Sequence, residues 1–400
     1  MLRDPEQPLE VLVAGGGVAA LETVLALNVL AGEHVRVRLL TAAPEFVSRP
    51  LRIGEPFGRG PTQRHSLKEF AVTTGSALIE DQFEWLDGEE KAVHTSGGQR
   101  LPYDALVLAT GARARPAFRY AITVDDTRIA GLVGSLLSDI ERSRIRSLAM
   151  VVPTPTAWPL PIYELALMTK RHADAQGCDL RITVITAETA PLAMFGVLAG
   201  LAVGKLLTDN GIHVIASAQV GVPDPFTVFI RPGQRALRVD RVVAMPQLFG
   251  PPAAGVPSGA VGGFIPVDSH GRVRRLRDVY AAGDATDFPV KHGGIAAQQA
   301  DVVAASIAAS AGAPVNKARF QPGLDAVLLG GERPLHLRAQ YSGEHGVHAH
   351  VDILEAGAVA PKVNARYLAP YLDAREARRR LDRQRAVRPA AAASVPAVVG

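Results

Sequence analysis

Apolar positions along the chain alternate between two spacings. Short apolar-rich runs, LEVLVA at Leu9–Ala14, VRVRLL at Val35–Leu40 and SLAMVV at Ser147–Val152, have the length and β-branched content of buried strands. Residues 21–30 and 162–173 instead carry apolar side chains at helical spacing. A strand, a turn, an apolar helix and a second strand follow one another at the N-terminus, and the same order recurs from Ser147 to Thr186. The expected class is therefore α/β, with two Rossmann-like dinucleotide-binding domains.

The two turns differ in chemistry. Gly15-Gly16-Gly17-Val18-Ala19-Ala20 reads GxGxxA. In such a turn Gly15 permits the tight bend, Gly17 lets a diphosphate approach the backbone, and small Ala20 lets helix and strand pack closely. The helix start that follows offers free N–H groups and the positive end of a dipole. The corresponding stretch of the second unit, MVVPTPTAWPLPIYELALMTKRHA, has Pro153, Pro155, Trp158, Pro159 and Pro161 in place of glycines. Proline fixes φ and removes an N–H donor, so conventional NAD(P)H binding is not expected there. The acid that usually meets a ribose at the end of the second strand is absent from the first unit, where Thr41 stands. In the second unit Glu188, two residues past Thr186, could serve, though Pro191 constrains its loop.

Composition narrows the classes. Four hundred residues with 48% apolar content allow two or three domains and a buried cofactor. No apolar stretch is long and unbroken enough to cross a bilayer, and the N-terminus lacks a signal-like region, which gives a cytoplasmic expectation and leaves open a peripheral contact with the inner face of a membrane. A single cysteine, Cys178, excludes an intrachain disulfide and a two-cysteine relay. The net charge of +4 is concentrated in a tail with seven arginines after Tyr371. That tail reads as a charged helix, solvated or in contact with another copy, so a homo-oligomer is expected and nucleic acid is not. His348 and His350 share a strand face without a convergent acid or cysteine set, so no metal site is expected.

Two later segments complete the picture. YDALVLATGAR (103–113) and DVYAAGDATDFPVKHGGIAAQQAD (278–301), taken with GGGVAALETVLAL, SRPLRIGEPF and WPLPIYELAL, resemble the FAD-dependent pyridine nucleotide-disulfide oxidoreductase superfamily. The likeness is nearest to its sulfide:quinone oxidoreductase and type II NADH dehydrogenase branch and covers nearly the whole chain. It implies FAD as cofactor, held by Gly15, Gly17, Val18, Ala19, Ala20, Thr41, Arg49, Ala109, Thr110, Gly111, Gly283, Asp284, Lys291, Gly293, Gly294 and Ile295. Within that resemblance Asp284 bonds the ribityl chain, and the helix opening at Gly293-Gly294 faces the flavin pyrimidine ring. It also implies an FAD domain (1–140, resumed at 266–315) with a second domain (147–265) inserted, then a C-terminal region (316–372) and a basic tail (373–400).

The branch passes electrons from a donor to FAD and commonly on to a quinone. Its cysteine relay cannot run on one cysteine, and its nicotinamide loop is replaced by prolines. The expected catalytic groups are Trp158 as part of a stiff apolar wall by the isoalloxazine, Glu164 pointing inward, and Lys291 as a cation near the flavin, with His292 as a candidate proton donor. Glu164 has an equal account as a helix-surface carboxylate, and Trp158 as a core residue. Two other functions stay open at this point: an NAD(P)H-dependent reductase, and a flavin-bearing binding or assembly protein.

Overall fold

A computed structural model describes residues 7–124, 128–153, 158–330, 332–341, 347–355 and 363–387. Two five-stranded parallel sheets form its frame. The first contains β1 (Leu9–Ala14), β2 (Val35–Leu40), β3 (Ala77–Ile79), β4 (Ala105–Leu108) and, much later, β12 (Val279–Ala281), in the order β12-β4-β1-β2-β3. Helix α1 (Val18–Leu30) joins β1 to β2, and α6 (Gly293–Ser310) follows β12 and packs against α1. Buried on both faces, these strands are nearly all apolar, as a parallel sheet between covering layers requires. The order reverses between β1 and β4, and such a reversal opens a crevice at the C-terminal ends of the strands.

Between β4 and β12 the chain leaves the first sheet and builds the second. Two connecting strands, β5 (Arg113–Arg115) and β11 (Gln247–Phe249), pair antiparallel where it crosses. The second sheet runs β6-β10-β7-β8-β9, from β6 (Ile122–Thr123), β7 (Ser147–Val152), β8 (Arg181–Thr186), β9 (His213–Ile215) and β10 (Arg241–Ala244). Helix α4 (Leu160–Ala175) connects β7 to β8, and α5 (Val197–Asp209) connects β8 to β9. β6 and residues 129–140 of the helix that follows, which sequence grouping assigns to the first domain, pair and pack with this second sheet. Ile122 lies beside Val243, and α3 (Ile129–Glu141) buries Val133, Leu137 and Ile140 in the same core as Met150 and Leu165.

The C-terminal region forms an antiparallel sheet, β13 (Gly323–Leu328), β14 (Leu335–Tyr341) and β15 (Val347–Ile353). Its apolar face, Leu324, Ala326, Leu328, Leu335 and Leu337, joins the core around Tyr163 and Leu167 of α4. His350 pairs with Asp352 at 2.9 Å, and the side chain of His348 lies outside the described residues. The arginine-rich segment is helical, α7 (Leu368–Val387), and docks within its own chain. Arg375 pairs with Glu69 of α2 (Leu67–Thr74), and the Tyr371 ring meets Phe70 edge-on at 5.3 Å. Residues 388–400 lie outside the described residues.

Candidate functional site

The crevice of the first sheet is built from the glycine turn outward. Gly15 has φ +138°, and a Cβ there would lie 2.2 Å from the Ala109 carbonyl oxygen. Only glycine fits that approach. A Cβ on Gly16 would lie 2.7 Å from Thr41 Oγ1, which places that hydroxyl directly against the turn. Thr41 Oγ1 also accepts from the Ala43 N–H at 3.1 Å. Gly17 is different. It is the N-cap of α1, it donates no side-chain cap, and a Cβ on it would meet nothing within 4 Å. Space is therefore open where the N–H groups of Val18, Ala19 and Ala20 emerge, and no side chain caps them.

β12 delivers the second half of the crevice. Gly283, at φ +77°, sits so close to α1 and α6 that a Cβ would lie 2.9 Å from Ala19 Cβ and 3.3 Å from Ala296 Cβ. Its N–H is held by Gln299 Oε1 at 2.7 Å, which fixes the turn that presents Asp284. The starts of α1 and α6 thus converge on one short segment. Thr110, Gly111 (φ +75°) and Arg49 occupy the loops after β4 and before α2, Arg49 opening a 3-10 stretch, Arg49–Phe57.

Lys291 is 7% exposed. Its Nζ donates to the Thr286 carbonyl at 2.5 Å and stands 3.8 Å from the Phe264 ring centroid. Burial drives its pKa down to about 8, opposed by the carboxylates of Asp284 and Asp287. His292 is the N-cap of α6: its Nδ1 accepts from the Gly294 N–H at 3.2 Å, so the ring proton sits on Nε2. Gly294 and Ile295 follow in the buried first turn.

The proline corner meets this end of α6. The Trp158 ring lies 4.4 Å from the His292 ring and 6.0 Å from Phe195, so it bridges the second unit and the returning segment. It is half-buried. Glu164 points inward, at 1% exposure, and its Oε1 accepts from the Leu329 N–H at 2.7 Å. That bond ties α4 to the C-terminal sheet. Pro155 lies outside the described residues.

Glu188 occupies the position of a ribose-binding acid, but its carboxyl is taken internally. Tyr163 Oη donates to Glu188 Oε2 at 2.6 Å and Thr186 Oγ1 does so at 3.0 Å. The backbone N–H groups of Leu192 and Ala193 face the same carboxyl, while Oε1 has no hydrogen-bond partner among the described residues. Burial pushes the Glu188 carboxyl up, and burial together with Glu188 pushes Tyr163 well above the ordinary phenol.

Several groups emerge only from the structure. Arg113 and Arg115 share one face of β5 beside a cleft of about 430 Å³ whose back wall includes Ile265, and the Ile265 N–H bonds the Ala285 carbonyl next to Asp284. Glu22 of α1 and Asp301 of α6 meet in the interior. Glu22 had a sequence signal: it stands two positions after Ala20 of the glycine motif.

The residues present fit a dinucleotide cofactor in the first unit: open space at Gly17, uncapped N–H groups, and an acid and a buried cation on the adjacent strand end. No protein-family model matches the chain. Among solved structures it is similar to the sulfide:quinone oxidoreductase of Aquifex aeolicus, with a TM-score of 0.77 and 19% identity over 86% of this chain and 87% of that one. It is also similar to a ferredoxin reductase for the CYP199A2 system from Rhodopseudomonas palustris, with a TM-score of 0.62 and 18% identity over 83% and 82% of the two chains. The α/β architecture, with two Rossmann-like sheets, is thus a fold shared with these two oxidoreductases.

Proposed function

We propose that the chain is an FAD-dependent oxidoreductase whose electron donor is a small molecule other than a nicotinamide dinucleotide, with a quinone as acceptor. The convergence of the α1 and α6 starts on Gly283 and Asp284, beside buried Lys291, carries this reading. When bound, FAD supplies the redox chemistry, accepting electrons from the donor and passing them on. The glycine turn and the first-turn N–H groups of α1 hold its diphosphate, and Asp284 holds the ribityl chain by a charge-assisted hydrogen bond.

Lys291 sets the charge beside the reacting ring. Below about pH 8 its ammonium favours negative charge near it, and above that it loses this effect. Burial against Phe264 keeps it away from water, which strengthens the interaction. Trp158 and His292 close the opposite side as a pair of rings tilted by 34°, and Glu164, fastened to Leu329, holds α4 behind them. His292, whose Nδ1 accepts from the Gly294 N–H, carries its ring proton on Nε2 and is the proposed proton donor.

A nicotinamide donor is disfavoured by the proline corner and by the engagement of Glu188 with Tyr163. One observation favours it: Glu188 Oε1 has a free acceptor position in the ribose corner. Anaerobic stopped-flow mixing with NADH, NADPH, sulfide and quinols decides. Rapid bleaching of the flavin band by NADH or NADPH would overturn the proposal, and bleaching by sulfide or a quinol alone is the expected result. A quinone acceptor needs no membrane span, and among the described residues no helix is long and apolar enough to cross a membrane.

A further inference from the structure

Glu22 is fully buried in the second turn of α1. Its carboxyl accepts from the backbone N–H groups of Tyr367 at 2.9 Å and Leu368 at 2.6 Å, so it holds the N-terminus of α7. The segment just before that helix lies on the start of α6. A Cβ on Gly293 would be 2.9 Å from Val363 Cγ2, and one on Gly294 would be 3.7 Å from the Asn364 carbonyl oxygen. Residues 363–368 therefore form a strap over the helix end that faces the cofactor crevice, and Glu22 is its fastening point.

Asp301, two turns along α6, hydrogen-bonds the Glu22 carboxyl. Two carboxyl groups can bond each other only if one carries a proton. Asp301 Oδ1 is buried and has no hydrogen-bond partner among the described residues, so an ionised Asp301 would be a poorly satisfied anion beside a second one. The other groups facing the pair are the Arg366 guanidinium and backbone N–H and the Tyr367 phenol, all from the strap. Arg366 is the single cation among them, and it is solvent-exposed.

We propose that Glu22 and Asp301 are positioning residues that share one proton, and that this proton keeps the C-terminal strap closed over the cofactor-facing end of α6. Burial first, and then the Glu22 charge, push Asp301 up to about 7. An acid raised in the folded state contributes stability that is present below its unfolded value and is lost as pH climbs through the folded one. The strap thus loosens as pH climbs from the ordinary carboxylate range to about 7, with no further loss above it. Release lets water reach Asp301 and uncovers Gly293 and Gly294. The consequence for flavin retention rests on the proposed cofactor site, but the fastening itself does not.

The holoprotein with Cys178→Ser and a spin label at Ala374→Cys, in the second turn of α7, reports the strap directly. Label mobility should rise between about pH 4 and about pH 7.5 and level off above, and flavin release should speed up several-fold over the same interval. Asp301→Asn supplies a permanent neutral donor to Glu22, so both responses should become flat and the strap should stay closed. The infrared carbonyl band of a buried protonated carboxyl should be present in the parent, titrate near neutral pH and disappear in Asp301→Asn. Glu22→Ala should leave the label mobile at every pH; if it does not fold, Asp301→Asn decides alone. A flat parent response, or an unchanged rise in Asp301→Asn, overturns the proposal. If the label and infrared responses stand while the chain retains no flavin, the fastening survives and the cofactor reading fails.

Discussion

After β1 the chain places Gly15, Gly16 and Gly17; at the equivalent corner after β7 it places Pro153, Trp158 and Pro159. Both corners join a buried parallel strand to an apolar helix at the reversal point of a five-stranded sheet. In the first, an absent side chain leaves room and exposed N–H donors. In the second, Pro153 and Pro159 stand at the edges of the turn and an indole leans on His292. The same architecture therefore makes a ligand cradle or a wall according to a handful of residues, because backbone donors and free volume are set locally while the strand order is set by the whole sheet.

The largest expected effect breaks the cradle. Gly17→Val should abolish flavin retention, since its side chain would fill the space open at the α1 start; a yellow variant with full stoichiometry after gel filtration would refute the assignment. Next comes Asp284→Ala, expected to weaken FAD binding by about 1.5–3 kcal/mol, roughly 10- to 150-fold, as measured by flavin dissociation. An unchanged constant would remove Asp284 from the site.

On the wall side, Trp158→Ala should raise the flavin emission yield, because an indole within stacking distance quenches the isoalloxazine. Its half-burial between Phe195 and His292 puts the stability loss near 2 kcal/mol, below that of a fully buried aromatic. Equal emission with a lowered melting temperature would make Trp158 a packing residue only. Glu188→Gln should be mild, within about 1 kcal/mol, since a neutral amide can replace a carboxyl pushed toward its neutral form, whereas Glu188→Ala should cost about 1–3 kcal/mol by leaving Tyr163 and the 192–193 N–H groups without an acceptor. Thermal melts of the pair test this, and equal losses would argue for a charged Glu188. The smallest effect concerns Lys291. Its lowered pKa means that the folded state binds fewer protons than the unfolded one between about pH 8 and the ordinary lysine value, so its contribution to stability rises across that window. The melting temperature of the parent relative to Lys291→Met should climb there, and a constant difference would contradict it.

Sequence pattern alone shows the glycine corner and the proline corner, because each is a local signal beside a strand, whereas the return at Asp284 is visible only through the resemblance of 278–301 to a known family. Three features are not visible in that way. β6 is two residues long, and its partner Val243 is remote in sequence, so nothing local assigns it or residues 129–140 to the second sheet. Glu188 has the right position for a ribose, and only the fold shows Tyr163, 25 residues earlier, already bonded to it. Glu22 meets Leu368 across 346 residues, a contact that no periodicity encodes. Glu164 is intermediate. Its inward direction is implied by the resemblance, with a helix-surface carboxylate as the equal alternative, and its partner Leu329 has no sequence signal.

The late return of β12 also orders the birth of the protein. Strand β4 cannot acquire its neighbour until residues 279–281 leave the ribosome, and by then every strand of the second sheet, from 122 to 244, has been synthesised. The second unit is continuous in sequence and can close first, whereas the first sheet waits with Leu106 and Leu108 short of the neighbour that β12 will provide. Asp284, Lys291 and the start of α6 arrive immediately behind β12. Completion of the crevice is therefore among the last events of folding, and a nascent chain arrested before residue 279 carries the strands of the second sheet, a proline corner still without His292 and Leu329, and half a cradle.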